Sequence, residues 1–159
     1  MATGSTFSPV DREKPALWKT PAGGGEAVQV TQDGGSESYE TTDGSLYFYK
    51  GSSDGKSPGE IWKLPAGATD PERVLTGIAS NEWTVFEAGS CFVSDWALTP
   101  QSLSFYDFAT RDVTRFTTLP DDTRVSGTPG LSVSPDGLQL VVGLTEDQGG
   151  DIMLVEDFH

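Results

Sequence analysis

The sequence predicts an all-β fold made of repeated units of four antiparallel strands, and three observations carry that expectation. Leu17-Trp18-Lys19-Thr20-Pro21-Ala22-Gly23 returns 44 residues later as Ile61-Trp62-Lys63-Leu64-Pro65-Ala66-Gly67, a period of the length that marks stacked or radial repeats. Turn glycines precede short apolar runs at Gly44, Gly89 and Gly137, spaced 45 and 48 residues apart. The chain of 159 residues holds 19 glycines and 10 prolines with 35% apolar residues, which suits many short strands between turns rather than helices.

Taken in order, residues 1–14 read as an N-terminal segment, in part disordered or a partial strand around Ser5–Ser8, and the repeats run over 15–159. A half unit (15–35) carries strands at Ala16–Thr20 and Glu26–Thr31, matching the third and outer strands of a full unit. The next unit (36–77) has strands at Glu37–Thr42, Ser45–Lys50, Glu60–Pro65 and Glu72–Thr76. Unit 78–120 uses Glu82–Phe86, Ser90–Ser94, Ser102–Phe108 and Asp112–Leu119. The last unit (121–159) has Gly130–Ser134, Gln139–Leu144 and Ile152–Glu156 and no outer strand. Each assignment rests on apolar and polar residues alternating between turn signals. Asp43-Gly44 is expected to form a type I′ hairpin turn, since both residues tolerate positive φ. Pro135 forces negative φ, so Ser134–Gly137 should be a type I turn closed by a left-handed Gly137.

Four-stranded units at this spacing predict β-propeller blades, about three to three and a half of them. A β-sandwich also uses many short strands, but it does not call for the repeated Leu/Ile-Trp-Lys segment. Closed propellers have roughly 4–8 blades, so the chain supplies a partial propeller. Two accounts follow: it is the C-terminal part of a longer propeller, or a second copy completes the ring. The apolar edge Ile152-Met153-Leu154-Val155 favours the homodimer or a comparable assembly, since a bare strand edge invites pairing.

The net charge is −14, from 24 acidic against 10 basic residues. Such a surface repels nucleic acid and anionic membranes and suits a basic protein or peptide partner. No run approaches the ~20 apolar residues of a membrane span. Met1–Phe7 lacks the basic start and apolar core of a signal peptide, so the expectation is a cytoplasmic chain or a piece whose targeting segment lies elsewhere. The single cysteine, Cys91, falls in an apolar run and reads as a buried, inert thiol.

Catalytic and metal chemistry find little support. The one histidine is His159, and a terminal imidazole lacks the third group that orients a catalytic base. Gly23-Gly24-Gly25 lies between two strands and reads as a hairpin loop rather than a phosphate cradle. Asp147–Asp151 and Ser53–Gly55 put carboxylates beside glycines, but without the ligand spacing of a calcium loop they read as solvated turns. No cofactor is expected. Trp18, Trp62 and Trp83 fall at strand positions suited to packing between blades. Trp96 stands in the loop Asp95–Pro100, at the sheet end shared by Ser52–Pro58 and Thr145–Gly150. There Trp96, Asp95, Asp54 and Asp147 form the candidate interaction surface, because aromatic anchors are over-represented at binding hot spots.

Ser134-Pro135-Asp136-Gly137 before an apolar strand, Ile61-Trp62-Lys63-Leu64-Pro65-Ala66-Gly67, and the closing run Ala27-Val28-Gln29-Val30-Thr31 resemble the repeats of TolB-type β-propellers, over Pro15 to His159. The tail Asp151–Phe158 resembles the C-terminus of bacterial TolB-like proteins. The resemblance implies a non-catalytic module for protein–protein or peptide binding, the C-terminal part of a larger bacterial envelope or sensor protein, with a periplasmic location. It transfers no residue roles, since its motifs are those the fold needs. Two alternatives stay open: the substrate-gating propeller of a serine peptidase, which needs a hydrolase domain after His159, and a lectin-like propeller binding sugar or calcium.

Overall fold

The computed structural model describes residues 5–7, 16–53, 57–94, 97–126, 129–146 and 149–156, with the side chains of 5–7 and 149–153 outside that description. No helix occurs among the described residues; fifteen strands form four antiparallel sheets. The first sheet is β1 (Ser5–Phe7), β2 (Trp18–Thr20) and β3 (Val28–Gln29). The second runs in sequence order through β4 (Ser36–Glu40), β5 (Leu46–Lys50), β6 (Gly59–Leu64) and β7 (Glu72–Ile78). The third repeats that meander with β8 (Trp83–Phe86), β9 (Gly89–Ser94), β10 (Ser102–Asp107) and β11 (Val113–Thr118). The chain is thus a three-stranded antiparallel unit followed by three four-stranded ones, a partial β-propeller.

The fourth sheet departs from the sequence expectation in two places. Its inner strand is split into β12 (Thr123–Val125) and β13 (Leu131–Val133), both paired to one side of β14 (Gln139–Glu146). The short β12 escaped notice because three residues give no alternation to read. On the other side, β14 pairs along its whole length with β15 (Gly149–Glu156), from Gln139↔Glu156 to Glu146↔Gly149. Residues 145, 146, 149 and 150 are therefore strand, where an open loop was expected; glycines at 149 and 150 mimicked a loop signal while still accepting extended backbone.

Strand periodicity places alternate side chains on opposite sheet faces, and here both faces are buried. In β5, Leu46 and Phe48 join Leu17 in one core, while Tyr47 and Tyr49 join Ile61, Ile78, Trp83, Val85 and Phe92 in the next. In the third sheet Phe92 faces back, whereas Cys91, Val93 and Leu103 join Leu131, Leu140, Val142 and Leu144 in a third core. The three cores are the three inter-sheet layers. Burial falls from inner to outer strand: β9 is buried over Gly89–Val93, while β11 is largely exposed. Cys91 sits in the third layer, and burial pushes its thiol up to about 12, consistent with an unreactive group.

Carboxylates fix the turns. Asp43 Oδ1 accepts from Thr41 Oγ1 (2.7 Å) and the Ser45 amide (2.8 Å), and Gly44 N–H donates to the Thr41 carbonyl at 2.9 Å. Gly44 has φ of 82°, and Asp43 is not among the positive-φ residues. The turn is therefore type I closed by a left-handed glycine, not type I′: the Asp43 hydrogen bonds hold its backbone on the ordinary side. Ser134–Gly137 forms the same turn, with Gly137 N–H to Ser134 O at 2.9 Å and Gly137 φ of 74°. Gly89 is not their equivalent. It opens β9 without positive φ, and an added Cβ would come within 2.6 Å of Phe105 Cζ and closer still to the Tyr106 carbonyl oxygen. It is glycine for lack of space.

A second carboxylate joins two sheets. Glu37 sits in a bulge of β4 with φ of 42°. Its carboxylate accepts from Ser80 Oγ, from the Asn81 amide at 2.7 Å and from the Nε1 of fully buried Trp83 at 2.9 Å. Tyr39 packs edge-on against Trp83 at 4.8 Å. Glu82 is the contrasting case. Its Oε2 is buried and without a hydrogen-bond partner among the described residues, and burial raises its pKa to about 7, opposed by nearby Arg124.

Three measurements check this account. Gly89→Ala should cost about 3 kcal/mol in urea unfolding, since overpacking against a carbonyl and a ring has no cheap relief; Gly23→Ala, with nothing within 4 Å of the new Cβ, should be near neutral. Glu37→Ala leaves the Trp83 and Asn81 N–H groups unpaired and should cost about 2 kcal/mol. Because the Glu82 pKa is raised on folding, the folded state holds that proton more tightly. Its stabilisation is present below pH 4.5 and is lost as pH rises to about 7. Discounted for partial exposure, Glu82→Gln should gain about 1 kcal/mol over the parent at pH 8 and nothing at pH 4.

Candidate functional site

Trp96, Asp95, Asp54 and Asp147 all lie outside the described residues, as does His159. The described structure directs attention to the opposite end of the sheets, where the β4–β5, β8–β9 and β10–β11 turns gather. A cleft of about 360 Å³ opens there between the second and third sheets.

Its wall is aromatic. Tyr47, at the start of β5, stacks on Phe108 with centroids 4.6 Å apart and planes 4° from parallel. Tyr106, at the end of β10, meets Phe108 edge-on at 6.0 Å. Strand alternation sends Tyr47 into this layer, and Tyr106 comes from the facing sheet. Phe108 follows β10, and its amide donates to the Ala88 carbonyl at 3.0 Å, tying two turns of one sheet together. Across the layer, the Thr42 amide donates to Glu87 Oε1 at 2.9 Å.

Its rim is cationic, with Lys63 from β6, Arg73 from β7 and Arg111 from the β10–β11 turn against the single lining carboxylate Glu72. Three of the chain's 10 basic residues thus meet at one cleft in a protein of net charge −14. Lys63 Nζ stands 5.4 Å from the Tyr47 ring centroid, within cation–π range. Burial raises the Tyr47 phenol above its ordinary value, against a hydrogen bond and the charge of Lys63; like any tyrosine it is a neutral phenol at neutral pH and can donate. Arg73 is engaged with Glu60 at 3.1 Å. Among the described residues, Lys63 and Arg111 have no carboxylate within ion-pair distance; the pairs present are Lys19–Glu40 and Arg73–Glu60.

Arg111 is held by its turn. Asp107 Oδ1 accepts from the Ala109 and Thr110 amides at 2.7 and 2.9 Å, which holds that carboxyl below its ordinary pKa. The Arg111 amide closes the turn on the Asp107 carbonyl at 2.9 Å, leaving Arg111 at φ of 65°. A non-glycine residue there costs roughly 1–2 kcal/mol. Sequence reading missed this cleft because its residues come from two units and four strands. The one available signal was local: Asp107–Asp112 is a hairpin turn with arginine where glycine or asparagine is usual.

The arrangement offers apolar area, a phenol donor and two cations without ion pairs; it offers no nucleophile–base pair. No three His, Cys, Asp or Glu side chains converge on a metal position among the described residues. Gly23–Gly25 is a hairpin loop between β2 and β3, with Gly24 N–H to Pro21 O at 3.0 Å. No helix among the described residues is long and apolar enough to cross a membrane.

No family model matches the chain, and none of the curated proteins does. Solved structures do match. TolB from Acinetobacter baumannii superposes with a TM-score of 0.67 at 15% identity, covering 96% of this chain and 40% of TolB. A chain of a nidogen–laminin complex gives 0.59 at 12% identity, covering 97% and 60%. An oligogalacturonate lyase solved with manganese gives 0.55 at 17%, covering 88% and 42%. This chain therefore spans less than two thirds of each of these structures, and at these identities the likeness is one of fold: that of a TolB-like β-propeller.

Proposed function

We propose that the chain is a non-catalytic β-propeller module that binds a protein or peptide, part of a larger bacterial envelope or sensor protein. The observation that carries the reading is the cleft between the second and third sheets. Buried aromatic area beside arginine is the composition of a binding hot spot, and a 360 Å³ cleft admits one or two side chains of a partner. One of the similar folds was solved within a protein–protein complex, the nidogen–laminin pair, which supports a protein partner by analogy of fold. The units of the module are the half blade 15–35 and the blades 36–77, 78–120 and 121–159, after an N-terminal segment 1–14.

The loop end bearing Asp54, Asp95, Trp96 and Asp147 belongs to this reading as a second contact surface, suited to a basic partner. Pairing with a second copy also belongs to it. Val141 and Leu154 lie opposite each other on the last sheet, 42% and 55% exposed, where the other layers bury their apolar residues.

Selection of a displayed peptide library on the immobilised chain tests the reading. Enriched peptides should bind the parent chain and lose at least 10-fold in affinity to Phe108→Ala, a loss of the size expected for an aromatic anchor. A library that enriches nothing, or peptides indifferent to Phe108, would overturn it.

A further inference from the structure

We infer that the cleft is selective for an acidic peptide segment, its carboxylate taken by Arg111 and Lys63 and its neighbouring apolar side chain laid on Phe108; this deepens the binding role proposed above. The local charge opposes the global one. Three cations and one carboxylate line the cleft; Glu60 pairs with Arg73 and Asp43 lies within Coulombic reach of Lys63, which leaves Arg111 as the lining cation with no carboxylate set against it among the described residues. In a chain of net charge −14, carboxylates are abundant, yet none lies within ion-pair distance of Arg111 or Lys63 among the described residues.

Guanidinium is the group best shaped for a carboxylate, which it meets through two parallel N–H···O bonds. The Tyr47 hydroxyl, which also contacts Lys63, adds a further donor. The left-handed backbone at Arg111, φ 65°, is set by the turn hydrogen bond to the Asp107 carbonyl, and it places an exposed guanidinium on the cleft rim. The ligand pictured is extended, with an acidic residue beside an aromatic or aliphatic one. A long-range consequence follows: the chain's net charge repels such a peptide, so its association should speed up as salt screens that repulsion.

The test uses three labelled heptapeptides alternating phenylalanine with glutamate, glutamine or lysine, titrated against the full chain by fluorescence polarisation. The glutamate peptide should bind at least 10-fold tighter than the glutamine peptide, with the lysine peptide weakest. Arg111→Gly relieves the backbone strain, so its melting temperature should hold or rise while glutamate-peptide affinity falls at least 10-fold. Lys50→Gln removes the same unit of charge from a side chain stacked on Trp62, in another layer, and should change affinity less than twofold. Equal binding of the glutamate and glutamine peptides, both weakened by Phe108→Ala, would overturn the carboxylate selectivity and leave the peptide-binding role standing. Tightest binding by the lysine peptide would do the same. Failure of all three, with a galacturonate trimer binding in an Arg111-dependent way, would overturn both and assign the cleft to acidic sugars.

Discussion

Every middle sheet of this chain must be covered on both faces, and the rest of the structure follows from that requirement. Leu-Tyr-Phe-Tyr in β5 is apolar or aromatic at four consecutive positions because two cores claim alternate side chains. Outer strands are covered only in part: Ile78 of β7 and Phe116 of β11 reach the layers, and most of their other positions are exposed and carry charged or polar residues. The same geometry opens the cleft. Where Tyr47 and Phe108 stack at the end of the layer, Lys63, Arg73 and Arg111 finish the wall beside Val74. The site is thus the end of a packing layer, completed by Phe108 and Arg111 of the β10–β11 turn.

The acidic surplus has a structural use that its sum conceals. Asp43, Asp107 and Asp136 each accept hydrogen bonds from the turn they belong to, and each carboxyl is held below its ordinary pKa by those bonds. Glu37 and Glu87 reach from one sheet to the next. Carboxylates spent on backbone amides are acceptors in the fold and only weakly a message to partners. The total charge describes the long-range field, while recognition depends on the few groups left without a counter-ion at a concave surface.

Strand identities were largely legible because period-2 alternation and turn residues are local signals. Unit two illustrates this: Ser90–Ser94 and Ser102–Phe108 were expected, and β9 and β10 occupy Gly89–Ser94 and Ser102–Asp107. Local reading failed where tertiary context overrides propensity. The Asp43-Gly44 pair suits type I′ in isolation, yet side-chain hydrogen bonds select type I. Gly89 aligned with turn glycines by spacing, although it answers to a ring and a carbonyl from the neighbouring strand. The split inner strand of the last sheet needed its partner β14 to be recognised at all.

The 44-residue recurrence of the Leu/Ile-Trp-Lys segment was enough to establish a repeated, four-stranded, all-β architecture, because each repeat unit is built from contacts a few residues apart. What only the tertiary structure decided is which side chains meet across units. Tyr47 and Phe108 are separated by 61 residues of chain and stack at 4.6 Å, and Lys63 and Arg111 reach the same cleft from different sheets. No periodicity encodes that meeting. It arises when two sheets, each specified locally, press their apolar faces together and leave their charged ends facing one space.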